Sequence, residues 1–163
     1  MTEIDHDVAA DVIDVLPEEE FRVCLFSMGE DLYALPVEVL TEIIISQKIF
    51  PVPTTPPHVL GVMNLRGSIV PVVDIRPALA LPRQTTPSQI AIIKEGAVTI
   101  GIVVDHVSEV VAVPSSKVLA IPAEAGGQAG KSRSRFLKSI IQREGGVAAL
   151  LDVKRILEEI RLE

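Results

Sequence analysis

The chain has 163 residues, 48% of them hydrophobic and 23% charged, which fits one domain or two small fused halves and excludes a multi-domain enzyme. Aliphatic content this high excludes global disorder, and with four Phe, one Tyr and no Trp the core must be built from Val, Ile, Leu and Ala, a composition that favours β-structure. The formal charge of −7 is concentrated, because residues 1–20 hold eight acids and neither Lys nor Arg; the remainder is nearly neutral and lacks the basic footprint of a nucleic-acid binder. The single cysteine, Cys24, cannot form an internal disulfide, which points to a reducing compartment. The acidic start lacks the basic region of a secretory signal. The longest uncharged run, 49–65, is broken by Pro51, Pro53, Pro56 and Pro57 and falls short of a bilayer span. A soluble, cytoplasmic chain is expected.

Taken in order, residues 1–19 read as an acidic, flexible tail, within which Val8, Val12, Val15 and Leu16 have a weak helical spacing of the kind found in docking segments. Apolar runs at 21–28 and 32–37 flank Gly29-Glu30-Asp31, a hairpin signal. A strand at 40–47 follows, and prolines punctuate the next loop. Residues 62–65 and 69–74 flank Arg66-Gly67 as a second hairpin, a short helix is predicted at 76–81, and 82–88 reads as a polar linker. The second half opens in the same way. Runs at 89–94 and 97–104 flank Glu95-Gly96, a strand at 107–113 follows, and the Gly/Ala/Ser-rich stretch 123–134 reads as a loop. Residues 139–143 and 147–152 form the last hairpin. A helix from about Val153 places Ile156, Leu157 and Ile160 on one apolar stripe.

Self-similarity runs through this pattern. Residues 37–44 (VEVLTEII) align without gaps to 104–111 (VDHVSEVV), and Val72-Val73-Asp74-Ile75-Arg76 resembles Leu150-Leu151-Asp152-Val153-Lys154. Two matched blocks in the same order indicate duplication. The expected architecture is mainly β: two small barrel-like subdomains side by side, at 20–83 plus the C-terminal helix and at 88–152. Closure of each would remove the edge strands that invite aggregation.

No constellation for chemistry emerges. His6, His58 and His106 stand apart from other ligand types, so no metal spacing exists. Ser115-Ser116-Lys117 lacks the context of Ser–Lys catalysis, and Cys24 lies mid-strand as a small core residue. Asp74, Asp105 and Asp152 end apolar strands, where a carboxylate most often caps the following turn. Gly130-Lys131-Ser132 ends like a phosphate-binding loop, but Ala125 stands at the position of the first glycine and no apolar strand precedes it. The basic run from Lys131 through Arg133, Arg135 and Lys138 to Arg143 reads as a solvated loop. No catalytic residue, metal or cofactor is expected.

The specific stretch is Gly61-Val62-Met63-Asn64-Leu65-Arg66-Gly67-Ser68-Ile69-Val70-Pro71-Val72-Val73-Asp74-Ile75-Arg76: an apolar strand, a tight turn with Arg66 at its tip, and a strand whose Pro71 marks an edge or bulge. It resembles the signature of the CheW family, the coupling proteins of bacterial chemotaxis, G-V-x-N-L-R-G-x-I-x-P-V-x-D-L-R, with Ile75 for Leu the visible departure. The likeness extends to Tyr33-Ala34-Leu35-Pro36-Val37, Leu40-Thr41-Glu42-Ile43 and Gly101-Ile102-Val103-Val104-Asp105, and so to about residues 20–160; the acidic tail lies outside the family core. The resemblance implies two five-stranded SH3-like barrels and a non-enzymatic adaptor. Its partners would be the cytoplasmic hairpin tip of chemoreceptors and the regulatory domain of the CheA histidine kinase, at membrane-associated receptor arrays, with no nucleic acid and no membrane insertion. It also implies a receptor-binding surface around Glu42 and Arg66, with Leu40, Ile43, Gly61 and Gly67 as its apolar and close-approach surroundings. Both charges adjoin segments expected to be buried, where an unpaired charge is costly, so they are expected to pair. The competing reading is a β-barrel module for nucleic acid or a small ligand, since small barrels host many functions.

Overall fold

A computed structural model describes residues 19–45, 47–82, 89–121 and 135–160; the tail, the 82–88 linker and the 123–134 loop lie outside these residues except at Glu19 and Pro82. The first hairpin is β1 (Glu20–Met28) and β2 (Asp31–Pro36), followed by a 3-10 turn at Val37–Val39 and by β3 (Leu40–Ile45). The second is β4 (Val59–Leu65) and β5 (Ser68–Val73). The third, β6 (Gln89–Glu95) and β7 (Val98–Val104), leads into β8 (His106–Pro114), a 3-10 turn at Ser115–Lys117 and the short β9 (Val118–Leu119). The last, β10 (Leu137–Arg143) and β11 (Gly146–Leu151), runs into α1 (Val153–Glu159). Asp152 caps this helix by accepting the Arg155 N–H at 3.1 Å. The predicted helix at 76–81 is only a 3-10 turn, Pro77–Leu79. Pro77 removes one backbone donor, and Ala80 at φ 62° ends the turn in the left-handed region.

Two sheets form, with strand orders β8-β1-β2-β11-β10-β9 and β3-β6-β7-β5-β4. They are related position by position: β3 matches β8, the hairpin β6–β7 matches β1–β2, β5 matches β11 and β4 matches β10. Each sheet contains one parallel pair, β2 with β11 and β7 with β5. The duplication read from the sequence thus has a structural counterpart. The assignment of 20–83 and 88–152 to separate subdomains is corrected, because each sheet takes its central hairpin from one repeat and its flanking strands from the other. The chain leaves each central hairpin across a 3-10 turn or a single residue and enters the opposite sheet, which the order of elements in sequence does not reveal.

Each sheet curls. The segment beyond β3 returns to β4, at the other end of the sheet, where Phe50 and Val62 exchange N–H···O=C bonds of 2.7 and 2.9 Å. In the other sheet β9, the continuation of β8, pairs with β10. This gives three apolar layers. Val23, Leu25, Ala34, Val113, Ile141 and Ala148 fill one curled sheet, and Met63, Val70, Val72, Ile90, Ile92 and Val103 fill the other. Between the sheets lies the largest cluster, including Phe26, Leu35, Val73, Ile93, Ile100, Ile102, Phe136 and, from α1, Val153 and Ile156. Successive strand residues point to opposite faces, so β1 and β6 are buried on both and read as continuous apolar runs rather than alternating ones. Full burial of each such side chain contributes roughly 1.5–3 kcal/mol. Cys24 is one of them, 2% exposed, and burial pushes its thiol pKa up.

One polar network sits in the seam between the sheets. Arg76, 1% exposed, pairs with Asp105 and lies 3.8 Å from Asp74. Asp105 also accepts the N–H of Gly29 at 2.7 Å, and Asp74 accepts the N–H of Arg76 at 3.0 Å. The network ties the end of β5, the β7–β8 crossover and the first hairpin turn together. The strand-end carboxylates therefore serve structure, Asp152 as a helix cap and the other two in this buried cluster.

Candidate functional site

Arg66 and Gly67 form the two-residue turn between β4 and β5, at φ 52° and 91°. Two successive positive φ values match the twist of the flanking strands. Such positions favour Gly, Asn or Asp, so an Arg there is held against its backbone preference. Asn64 supports the turn, its Oδ1 accepting the Gly67 N–H at 2.8 Å. No heavy atom outside the chain neighbours lies within 4 Å of where a Gly67 Cβ would stand, so the glycine is needed for its backbone angle alone.

Glu42 comes from β3, at the opposite end of the same sheet from β4. A bulge between Leu40 and Glu42 shifts the register against β6, and the Thr41 hydroxyl donates to the Ile92 carbonyl at 3.0 Å. The curl of the sheet brings its two ends together, and the Arg66 guanidinium grips Glu42 with both terminal nitrogens, Nη1 to Oε2 at 2.9 Å and Nη2 to Oε1. Such a fork is the strongest arrangement of this ion pair. Hydrogen bonding to Arg66, with its charge adding, holds the Glu42 carboxyl below the ordinary glutamate range, and the same bonds raise Arg66. The pair is solvent-facing: the side chains are 68% and 31% exposed. The expectation of charges beside buried segments is thereby corrected. The apolar neighbours Leu40, Ile43 and Leu65 are only half-buried and Ile69 is exposed, and the charged tips reach past them into solvent.

The remaining predicted positions divide. Gly61 lies on β4 where the returning chain crosses it, and a Cβ there would stand 2.2 Å from the Phe50 carbonyl oxygen at φ +154°; its role is close backbone approach. Leu40 packs against the inter-sheet core, and Ile43 is half-buried on β3. Beside Arg66, a shallow depression of about 620 Å³ is lined by Leu65, Ile69, Val98 and Thr99 among others, with Ile69 and Val98 exposed at 64% and 48%. β5 and β7 are parallel neighbours in register Val72 with Gly101, which sets Ile69 beside Val98. This flanking pair was missed in the sequence, because both residues lie in apolar strand runs, and such a run does not show which of its residues the fold leaves exposed. Phe50 and Ile45 are exposed near the same seam.

Among the described residues no group of three or more His, Cys, Asp or Glu side chains is placed to hold a metal ion, and no helix is long and apolar enough to cross a membrane. His58 packs edge-on against Phe136 and meets Arg135 at 3.3 Å, and His106 is exposed on β8.

Residues 22–161 match the family model of the CheW-like domain. Similar proteins include the chemotaxis protein CheW of Bacillus subtilis, 29% identical over 85% of this chain and 87% of that one. CheW of Treponema pallidum is 24% identical over 90% and 87%, and protein FrzA of Myxococcus xanthus is 28% identical over 89% of each chain. The fold is similar to that of the scaffolding protein TtCheW from Thermoanaerobacter tengcongensis, with a TM-score of 0.72 at 24% identity, covering 82% of this chain and 90% of that one. With its signature hairpin, its duplicated sheets and a family match across nearly all the described residues, the chain belongs to the CheW family.

Proposed function

We propose that this protein is a non-enzymatic adaptor that couples chemoreceptors to a CheA-type histidine kinase in chemotaxis-type signalling, and that it works in the cytoplasm at receptor arrays on the membrane. Family membership over residues 22–161 carries the reading, and relatives named as chemotaxis proteins support it. The partners are the hairpin tip of a receptor and the regulatory domain of the kinase. The receptor-facing surface is the seam of the β3–β7 sheet: Glu42 and Arg66 at its centre, Leu40 and Ile43 on β3 beside them, and Gly61 and Gly67 shaping the backbone. An exposed Arg at a backbone position that disfavours it supports a role for that side chain outside the fold. Exposed Ile69 and Val98 supply the apolar contact that a charged pair alone lacks.

The test is a binding measurement with purified components. The chain is expected to bind both the kinase regulatory domain and a receptor hairpin fragment, with an affinity that changes little between low and physiological salt. A steep fall with salt, together with retention of single-stranded or duplex nucleic acid, would favour a nucleic-acid module instead.

A further inference from the structure

A second cleft opens at the far end of the other sheet. It measures about 290 Å³ and is lined by Phe21, Val23, Pro36, Val113, Val118, Ile141 and Leu150, with Arg22, Lys138 and Glu38 among its charged residues. Phe21 is 43% exposed there. The chain enters the fold at this rim: the Ser115 N–H donates to the Glu19 carbonyl at 2.8 Å, and Phe21 pairs with Val113. Residues 1–18, which lie outside the described residues, are thus tethered within a few residues of an apolar hole.

Their sequence suits that hole. Val8, Val12, Val15 and Leu16 recur at helical spacing, Asp7, Asp11 and Asp14 each stand one position before Val8, Val12 and Val15, and Glu18 continues the acidic row four residues after Asp14. An apolar stripe bordered along one side by acids is complementary to an apolar cleft with Arg22 and Lys138 beside it. The tail's own composition buries too little to offset the loss of chain freedom, whereas the cleft supplies the missing apolar surface. A short tether gives an effective concentration in the millimolar range, so even a weak contact is populated. We propose that residues 8–16 dock in this cleft of their own molecule, the aliphatic side chains inserted and the acids set against Arg22 and Lys138.

Zero-length carbodiimide cross-linking of the full chain, read by mass spectrometry, tests this directly. Lys138 is expected to join Asp11, Asp14 or Glu18, and the yield should fall several-fold in Val12→Asp/Val15→Asp/Leu16→Asp. In a mixture of 14N and 15N protein the linked peptides should carry one label only. Mixed-label products would make a second copy the occupant and overturn the proposal. As an independent readout, Phe21→Trp places the only tryptophan of the chain in the cleft, and its emission should move to longer wavelength when the three tail substitutions are added or salt is raised. Absence of the cross-links, or emission indifferent to the tail substitutions, would overturn it as well.

Discussion

Gly61→Ala separates a glycine required by close backbone approach from one required by its backbone angle alone. The added Cβ would stand 2.2 Å from the Phe50 oxygen, 2.7 Å from its carbonyl carbon and 2.9 Å from the Pro51 Cα, all backbone atoms that cannot rotate away. Relief requires the returning segment to move off β4, which breaks the two bonds between Phe50 and Val62, at about 1 kcal/mol each. The backbone angle of +154° adds roughly 1–3 kcal/mol for a residue bearing a side chain. A loss of about 3–5 kcal/mol follows, and at roughly 2–4 °C per kcal/mol the melting temperature should fall by about 10 °C or more. Gly67→Ala is the control, since its Cβ meets nothing and only the left-handed backbone costs, about 1–2 kcal/mol. Differential scanning calorimetry of both variants decides the matter. Equal, small shifts for the two glycines would show that the crossing at Phe50 is not tight and would refute the reasoning.

Further expectations follow from the buried groups and the exposed pair. Arg76→Met leaves Asp74 and Asp105 without their cation and should cost about 3–5 kcal/mol by chemical denaturation; adding Asp105→Asn should recover part of the loss. Glu42 titrates below the ordinary glutamate range in the fold, so its contribution to stability is present above that range and is lost as pH falls through the lowered value. Carboxyl NMR should show this depressed midpoint, moving up in Arg66→Ala. Asp152→Ala removes the cap of α1 and should cost about 1 kcal/mol. Cys24, buried and with a raised thiol pKa, should react with a thiol reagent only as fast as the chain opens.

Much of the fold was legible because turn chemistry is local. The Gly-containing turns at Gly29, Arg66-Gly67, Gly96 and Gly145 fall between strands that the sequence marks within a few residues. The exchange of hairpins between sheets was not legible, because pairing partners are set by tertiary packing rather than by neighbours in sequence. Arg76 shows the same limit. Read as the start of a short helix, it lies in the buried cluster with Asp105, which is 29 residues away. At the candidate site, the family resemblance pointed to Arg66 in the signature stretch and to Glu42 in the segment Leu40-Thr41-Glu42-Ile43, and the fold brings them into contact. Their exposure was misjudged, because sequence patterning assigns a residue to a strand without saying where along its side chain solvent begins.

The adaptor reading is tested most directly by reconstituting kinase, receptor fragments and this chain, and measuring kinase autophosphorylation with wild-type protein and with Arg66→Ala. The pair is solvent-facing, so the variant should fold and melt close to wild type while losing receptor-dependent control of the kinase. Full control by a well-folded Arg66→Ala protein would remove Arg66 from the receptor surface, and failure of the wild-type chain to confer any control would contradict the adaptor function itself.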